Sequence, residues 1–465
     1  MCHVLVTALS ILTEATMSQV SAPRTRCFFW HFVTILALGL AFQPVLQGGP
    51  AGAGDAAQGT VQAASPADPR DDRSPWGVAF GMEWSSAYPL FNPLLKAAGV
   101  QWLRGFYDWQ TLQPKEGYWN WALPDRLIEN VRSNQQRLTF ILAHVASWKS
   151  LDGAIHRFPI KDIQFWRNYV AGLVGRYHAD VKYWEVQNEF GRSAENGAPE
   201  SYAELVREAS ISAKRIDPNA RIGMSVANFD VDFLDRAIKA GAAGYFDYIC
   251  VRPYDKLGVL AEGGEADYLG MVAKLRHMLA SNNQRADLPL WITEIGVSAP
   301  LNPNPLADRQ QAVLLSKAYL LSIASGFERV FWFEARGPAY DGRSDFGLLR
   351  ANMNPRPAYR ALKALTGILG PEPESAGWLD FGDGYGFMFR NGGRNVLAVW
   401  ARPDRNFPLR FESQVLVGDL EGVLRPLEAE QTLSVSDSPL LIADVPSSLS
   451  EQALANRDKP FPWGH

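Results

Sequence analysis

Two glutamates stand at the ends of bulky, β-favouring runs, and each is followed closely by glycine. The first run is Lys182-Tyr-Trp-Glu185-Val-Gln-Asn188-Glu189, which breaks at Phe190-Gly191; the second is Pro289-Leu-Trp-Ile-Thr-Glu294-Ile-Gly296. A charge at the end of an otherwise buried strand is costly unless a site uses it. Two such carboxyl groups suit glycosidic bond cleavage, where one delivers a proton to the leaving oxygen and the other, ionised, attacks the anomeric carbon. At roughly 5–5.5 Å apart, two carboxyls repel strongly enough to keep one protonated near neutral pH. The plainer alternatives are a loop-capping carboxylate for Glu189 and a rim salt bridge for Glu294.

Such glutamates need strands that end on one face. From Trp76 onward, short apolar strands alternate with longer amphipathic segments, the pattern of repeated βα units. Strands are expected at 76–80, 101–105, 138–143, 182–189, 221–226, 246–251, 290–293 and 329–333, and helices at 122–136, 162–178, 199–216, 230–240, 266–282, 307–325 and 357–369. Eight strands, seven clearly followed by helices, predict an α/β fold of the (β/α)8 TIM barrel type, whose active sites lie at the strand C-termini. Continuous apolar strands fit burial on both faces. An open doubly wound sheet would carry a Gly-rich phosphate loop after its first strand, and none follows Trp76–Phe80.

Composition shifts after Gly370-Pro371-Glu372-Pro373. Strand-like runs flanking Asn391-Gly392-Gly393 give a hairpin signal, and the stretch 371–445 reads as a small β-sandwich-like domain. The tail 446–465 is polar and expected to lack regular structure, apart from Phe461 and Trp463.

At the other end, Arg24 and Arg26 precede the apolar run Phe28–Phe42, with small residues at Ala51-Gly52-Ala53. Residues 1–46 therefore read as a signal peptide or an anchor, and 47–74 as a flexible linker, leaving 75–370 for the barrel. Export to the periplasm or exterior is expected, with any membrane attachment through this segment alone. The 465 residues carry a formal net charge of −4, which offers no electrostatic reason for a nucleic-acid partner. Scattered histidines without Cys/His spacing imply no metal, and no cofactor is expected. Of the three cysteines only Cys250 lies within the expected fold, so no disulfide framework is available there.

The Trp-Glu-Val-Gln-Asn-Glu run on the fourth strand, the Trp-Ile-Thr-Glu-Ile-Gly run on the seventh and the C-terminal β domain resemble clan A glycoside hydrolases. Within that clan the chain looks most like family 39 and the related exopolysaccharide-linked glycosidases. The resemblance covers about residues 76–443 and implies a retaining enzyme acting on carbohydrate. It makes Glu189 the acid/base and Glu294 the nucleophile. Asn188 then matches the amide that binds the sugar 2-hydroxyl. Arg104 matches the arginine that keeps the nucleophile ionised, Tyr254 the tyrosine bonded to it, and Trp332 the floor of the cleaved-sugar subsite. His144, Trp148 and Trp84 are candidates for lining the groove. One position departs from the clan: two residues before Tyr254, where histidine is usual, stands Arg252. Its permanent fork suits an acidic substituent on the sugar, or it pairs with Glu294 or Asp255. A transglycosylase, a uronic-acid-directed enzyme and a catalytically inactive polysaccharide-binding barrel are the competing readings.

Overall fold

A computed structural model describes residues 73–81, 87–151, 153, 160–191, 197–337 and 341–463. The segment read as signal or anchor, nearly all of the linker, and Trp84 lie outside these residues. Among the described residues, no helix is long and apolar enough to cross a membrane.

Eight parallel strands close a barrel in chain order: β1 (Trp76–Ala79), β2 (Trp102–Gly105), β3 (Arg137–Leu142), β4 (Tyr183–Val186), β5 (Arg221–Ser225), β6 (Tyr248–Val251), β7 (Leu290–Ile295) and β8 (Arg329–Phe333). β8 pairs back onto β1, with Trp76 opposite Val330. All six residues of β7 and all four of β6 are buried, as an internal strand covered on both faces requires. This is the TIM barrel that the alternating strands and helices predict.

Helix ends follow local chemistry. The helix Pro199–Ile216 opens with proline and Glu200 in its first turn and closes on Lys214 and Arg215, which suits both the N1 position and the helix dipole. Asp162 caps the helix Ile163–Tyr177 by accepting from the Gln164 N–H at 2.8 Å. One helix that the sequence left unread, Tyr88–Ala97, fills the place after β1. It tolerates Pro89 in its first turn but carries Pro93 inside, where the ring removes a ladder bond.

The barrel interior is layered by the two-residue repeat of the strands. Trp102, Tyr183, Tyr248, Trp291 and Phe331 form an aromatic floor. The Arg329 guanidinium lies 4.2 Å from the Trp102 ring and 4.4 Å from the Trp291 ring, within cation–π range. Glycines make room for the floor: a Cβ on Gly77 would strike the Phe331 ring, and one on Gly223 the Tyr248 ring. Two residues further along these strands stand Arg104, Glu185, Cys250, Thr293 and Phe333. The floor therefore supports a second layer that is mostly polar.

The C-terminal region is a six-stranded antiparallel sheet with a separate two-stranded ladder, Phe407–Leu409 against Leu433–Val435. Alternation divides the sheet's faces. Met388, Leu397, Val399 and Ile442 enclose a small core with Phe407 and Val435. Phe387, Phe389, Ala398, Trp400 and Leu441 join the main core that the barrel's helices share. At that junction Trp400 Nε1 donates to Glu265 Oε1 at 3.0 Å, and Lys317 Nζ reaches the same oxygen at 2.8 Å. The tail, expected to be irregular, instead forms the helix Ser447–Asn456 against the first strand of the sheet. A Cβ on Gly377 would collide with the Ala453 carbonyl there. Beyond it Trp463 docks on Trp378, Tyr385 and Phe387. Apolar residues every few positions were enough to hold the tail down despite its polar composition.

Candidate active site

Arg104 joins three strands at the barrel mouth. Its Nε and Nη2 donate to the two oxygens of Glu185 at 2.7 and 3.1 Å, Nη2 to Asn188 Oδ1 at 3.0 Å, and Nη1 to Glu294 Oε2 at 2.8 Å. The fork geometry of arginine suits this multiple pairing. Burial opposes its charge, yet Glu185 and Glu294 beside it raise its pKa above the already high arginine value. Glu185, fully buried within β4, is held the other way. Burial favours its protonated form, but Arg104 and Arg252 outweigh that and keep its carboxyl below the usual carboxylate range.

Glu294 reaches the mouth through a β-bulge. Ile292 pairs with Val330 but Ile295 with Trp332, so β7 spends one more residue than β8 over the same span. Strict alternation would send the residue after an inward-facing Thr293 outward; a bulge re-aims it. Thr293 still donates to Glu185 Oε1 at 3.3 Å, and Glu294 meets Arg104 and the Tyr254 hydroxyl, which donates to its Oε1 at 2.7 Å. Tyr254 heads the helix Tyr254–Ala261 just after β6. Burial, then the charge of Glu294, pushes its phenol well above the usual value, with Glu189 adding to the effect. The phenol therefore stays a donor across neutral pH, and the Glu189 charge lies within electrostatic reach of it.

Glu189 arrives by a coiled turn and not as strand. β4 ends at Val186, after which Gln187 and Glu189 adopt φ of 63° and 51°. That left-handed region is uncommon for residues with a side chain and clusters at functional sites. Asn188 and Glu189 are left half-buried at the mouth. One carboxylate thus accepts bonds on both oxygens from fixed donors, while the second stands less enclosed on the neighbouring turn. Such a division suits an acceptor-only group and a proton carrier.

Two expected sugar contacts are not where the sequence put them. Trp332 is fully buried and packs into the main core, on the helix side of β8. The aromatic that faces the mouth is its neighbour Phe333, partly exposed and packed on the barrel's inner cluster. A one-residue slip along a strand moves a side chain to the opposite face, and alternation from Phe331 would have pointed to Phe333. Phe346, from the loop after β8, lies 5.4 Å from Phe333 and 6.3 Å from Tyr254 between ring centres, and completes an aromatic wall that no motif or spacing marked. Arg252, expected to meet substrate, is fully buried behind the glutamates. Its Nη2 donates to Glu185 Oε1 at 2.5 Å and Nη1 to the Val226 carbonyl at 2.7 Å. Fully buried there, its fork presents no surface to an acidic sugar.

His144 and Trp148 form a second constellation on the loops after β2 and β3. His144 Nδ1 lies 2.6 Å from Asp108 Oδ1, and its ring stands edge-on to Phe106. Trp148 donates through Nε1 to the Gln113 carbonyl at 2.8 Å, with Lys149 Nζ 4.7 Å from its ring. Both are partly exposed.

No family model matches the chain. A curated relative, endo-1,4-beta-xylanase 3 of Hypocrea jecorina, is 25% identical over 270 residues, spanning 55% of this chain and 71% of the relative. Among solved structures, a family 39 glycoside hydrolase from the gut symbiont Bacteroides cellulosilyticus WH2 superposes with a TM-score of 0.67 at 19% identity, covering 82% of each chain. A GH30 endoxylanase from Clostridium papyrosolvens C71 gives a TM-score of 0.57 at 14% identity, covering 80% of this chain and 96% of that one. The resemblance to clan A glycoside hydrolases carried by the two glutamate motifs is thus met by relatives in sequence and by neighbours in fold.

Proposed function

We propose that this protein is an exported retaining glycoside hydrolase acting on a β-linked polysaccharide or oligosaccharide. The observation that carries this reading is the convergence of Arg104 and Tyr254 on the two oxygens of Glu294, with the same guanidinium bonded to Asn188. Glu294 is then the nucleophile. One of its oxygens attacks the anomeric carbon as the glycosidic C–O bond breaks, and Glu189 passes its proton to the departing oxygen. Water next attacks the same carbon, gives its proton to Glu189, and releases Glu294 as carboxylate. Arg104 and Tyr254 favour that release, because a charge-assisted bond to a carboxylate is stronger than one to an ester. Asn188, matched to the clan amide, holds the 2-hydroxyl in this reading.

The xylanase relatives favour β-1,4-linked xylan as the first polymer to assay, with exopolysaccharides beside it. The order of basic, apolar and small residues before 53 supports export. Proton NMR of the first-formed sugar tests the reaction class: retained anomeric configuration is expected, and inversion would remove Glu294 as nucleophile.

A further inference from the structure

We propose that Arg252 is a positioning residue for this reaction, holding the nucleophile in place through a buried ring of four charges and making no contact with the sugar. The proposal rests on the reading of Glu294 as nucleophile. Arg252 and Glu185 are each fully buried, and Arg104 almost so. Around the ring, Arg104 Nε lies 2.7 Å from Glu185 Oε2, and Arg252 Nη2 lies 2.5 Å from Glu185 Oε1. Arg252 Nε then lies 3.7 Å from Glu294 Oε2, and Arg104 Nη1 closes the ring at 2.8 Å from that same oxygen. Two guanidinium groups and two carboxylates balance only when all four are charged.

The ring gives Arg252 two routes to Glu294. The direct one is a second cation near the oxygen that Arg104 already holds. The indirect one is mechanical. Glu185 takes both Arg104 and Arg252, so the fork of Arg252, pinned by the Val226 carbonyl, fixes Glu185. Glu185 in turn fixes the angle at which Arg104 presents Nη1. Cys250 lies in the same layer within electrostatic range of both arginines. The groups that meet the Glu294 carboxylate are then Arg104 from β2 and Arg252 and Tyr254 from the end of β6. Removing Arg252 leaves two buried carboxylates sharing one guanidinium. Lysine keeps the charge but cannot reach Glu185 and the Val226 carbonyl as a rigid fork.

The test uses the full chain, with Arg252→Lys and Arg252→Gln assayed on an aryl glucoside or xyloside and on the matching aryl glucuronide. Rates are counted per site that titrates with an active-site label. Arg252→Lys is expected to lose about 10- to 100-fold in kcat/KM, the cost of a small misplacement of a reacting group. The loss falls on both sugars alike, with KM little changed. In Arg252→Gln, where the cation beside the nucleophile is lost, the acid limb of the pH profile moves to higher pH as well. Arg252→Gln loses more than Arg252→Lys. A folded Arg252→Lys with wild-type rate overturns the proposal, and so does a loss confined to the glucuronide. Should both variants fail to fold, Glu185→Asp tests the same ring, and its wild-type kcat/KM would be equally fatal. A wild type inactive on every glycoside, or labelled at a residue other than Glu294, defeats the functional reading itself; an active wild type indifferent to these substitutions defeats only this one.

Discussion

The hydroxyl of Tyr254 lies 2.7 Å from Oε1 of Glu294 and donates to it. A neutral phenol on a carboxylate is a charge-assisted bond, worth about 1.5–3 kcal/mol. Tyr254→Phe should therefore lower kcat by about 10- to 150-fold at 25 °C while lowering the thermal midpoint by no more than a few degrees. Steady-state kinetics beside a melting curve checks both halves. A drop in stability with unchanged kcat would mean that Tyr254 serves packing alone.

Trp332 and Phe333 should separate stability from binding. Trp332 is fully buried in the core, so Trp332→Ala should cost about 3–5 kcal/mol of unfolding free energy. Phe333 stands partly exposed at the mouth beside Tyr254, so Phe333→Ala should raise KM more than it lowers stability. Urea unfolding and KM for both variants decide it, and the reverse pattern would place Trp332 at the sugar after all.

These two residues also mark how far the sequence could be read. The eight strands were legible because each is an apolar run with both faces covered, and the helix Pro357–Leu369 because its apolar side repeats along the turns. Glu294 was legible as a carboxylate at the end of a buried strand, and Arg104, Asn188 and Tyr254 through the resemblance to clan A; the structure brings the four into one network. Which way a side chain faces was not. Trp332 was misplaced by one step of the strand period, and the bulge that turns Glu294 inward depends on β8 pairing, a contact between distant parts of the chain. Arg252 reads as meeting an acidic sugar or pairing with Glu294 or Asp255, because nothing local reveals that Glu185, 67 residues earlier, waits for it behind the mouth. Tyr88–Ala97 was hidden by its two prolines.

Glu185 predicts a pH-dependent stability difference. Its carboxyl is held below the ordinary value of 4.5, so its contribution is present above that pH and is lost as pH falls through the folded-state value. Glu185→Gln, which leaves two buried guanidinium groups short of a partner, should cost about 3–5 kcal/mol near pH 7. The gap between variant and wild type should narrow steadily below about pH 4.5, the ordinary value for this group. Unfolding curves from pH 3 to 7 provide the check, and a gap that widens in acid would contradict the ion pairing.

The sheet after residue 370 should not behave as a detachable module. Its face of Phe387, Phe389, Ala398 and Trp400 belongs to the core of the barrel, and Trp400 shares Glu265 with Lys317. Calorimetry of residues 73–463 should give a single transition, and a chain cut after Gly370 should be insoluble or molten, since it exposes that apolar face. Two separated transitions would argue for independent units.

The most direct measurement is covalent trapping of the nucleophile. A 2-deoxy-2-fluoro β-glycoside with a good leaving group slows both steps but slows breakdown of the glycosyl-enzyme most, so the intermediate should accumulate. Mass spectrometry of the digested protein is expected to find one added sugar on the peptide that contains Glu294, and none after Glu294→Gln. A label on Glu189 or on any other residue, or turnover of the natural glycan with inverted product and no label, would contradict the central claim.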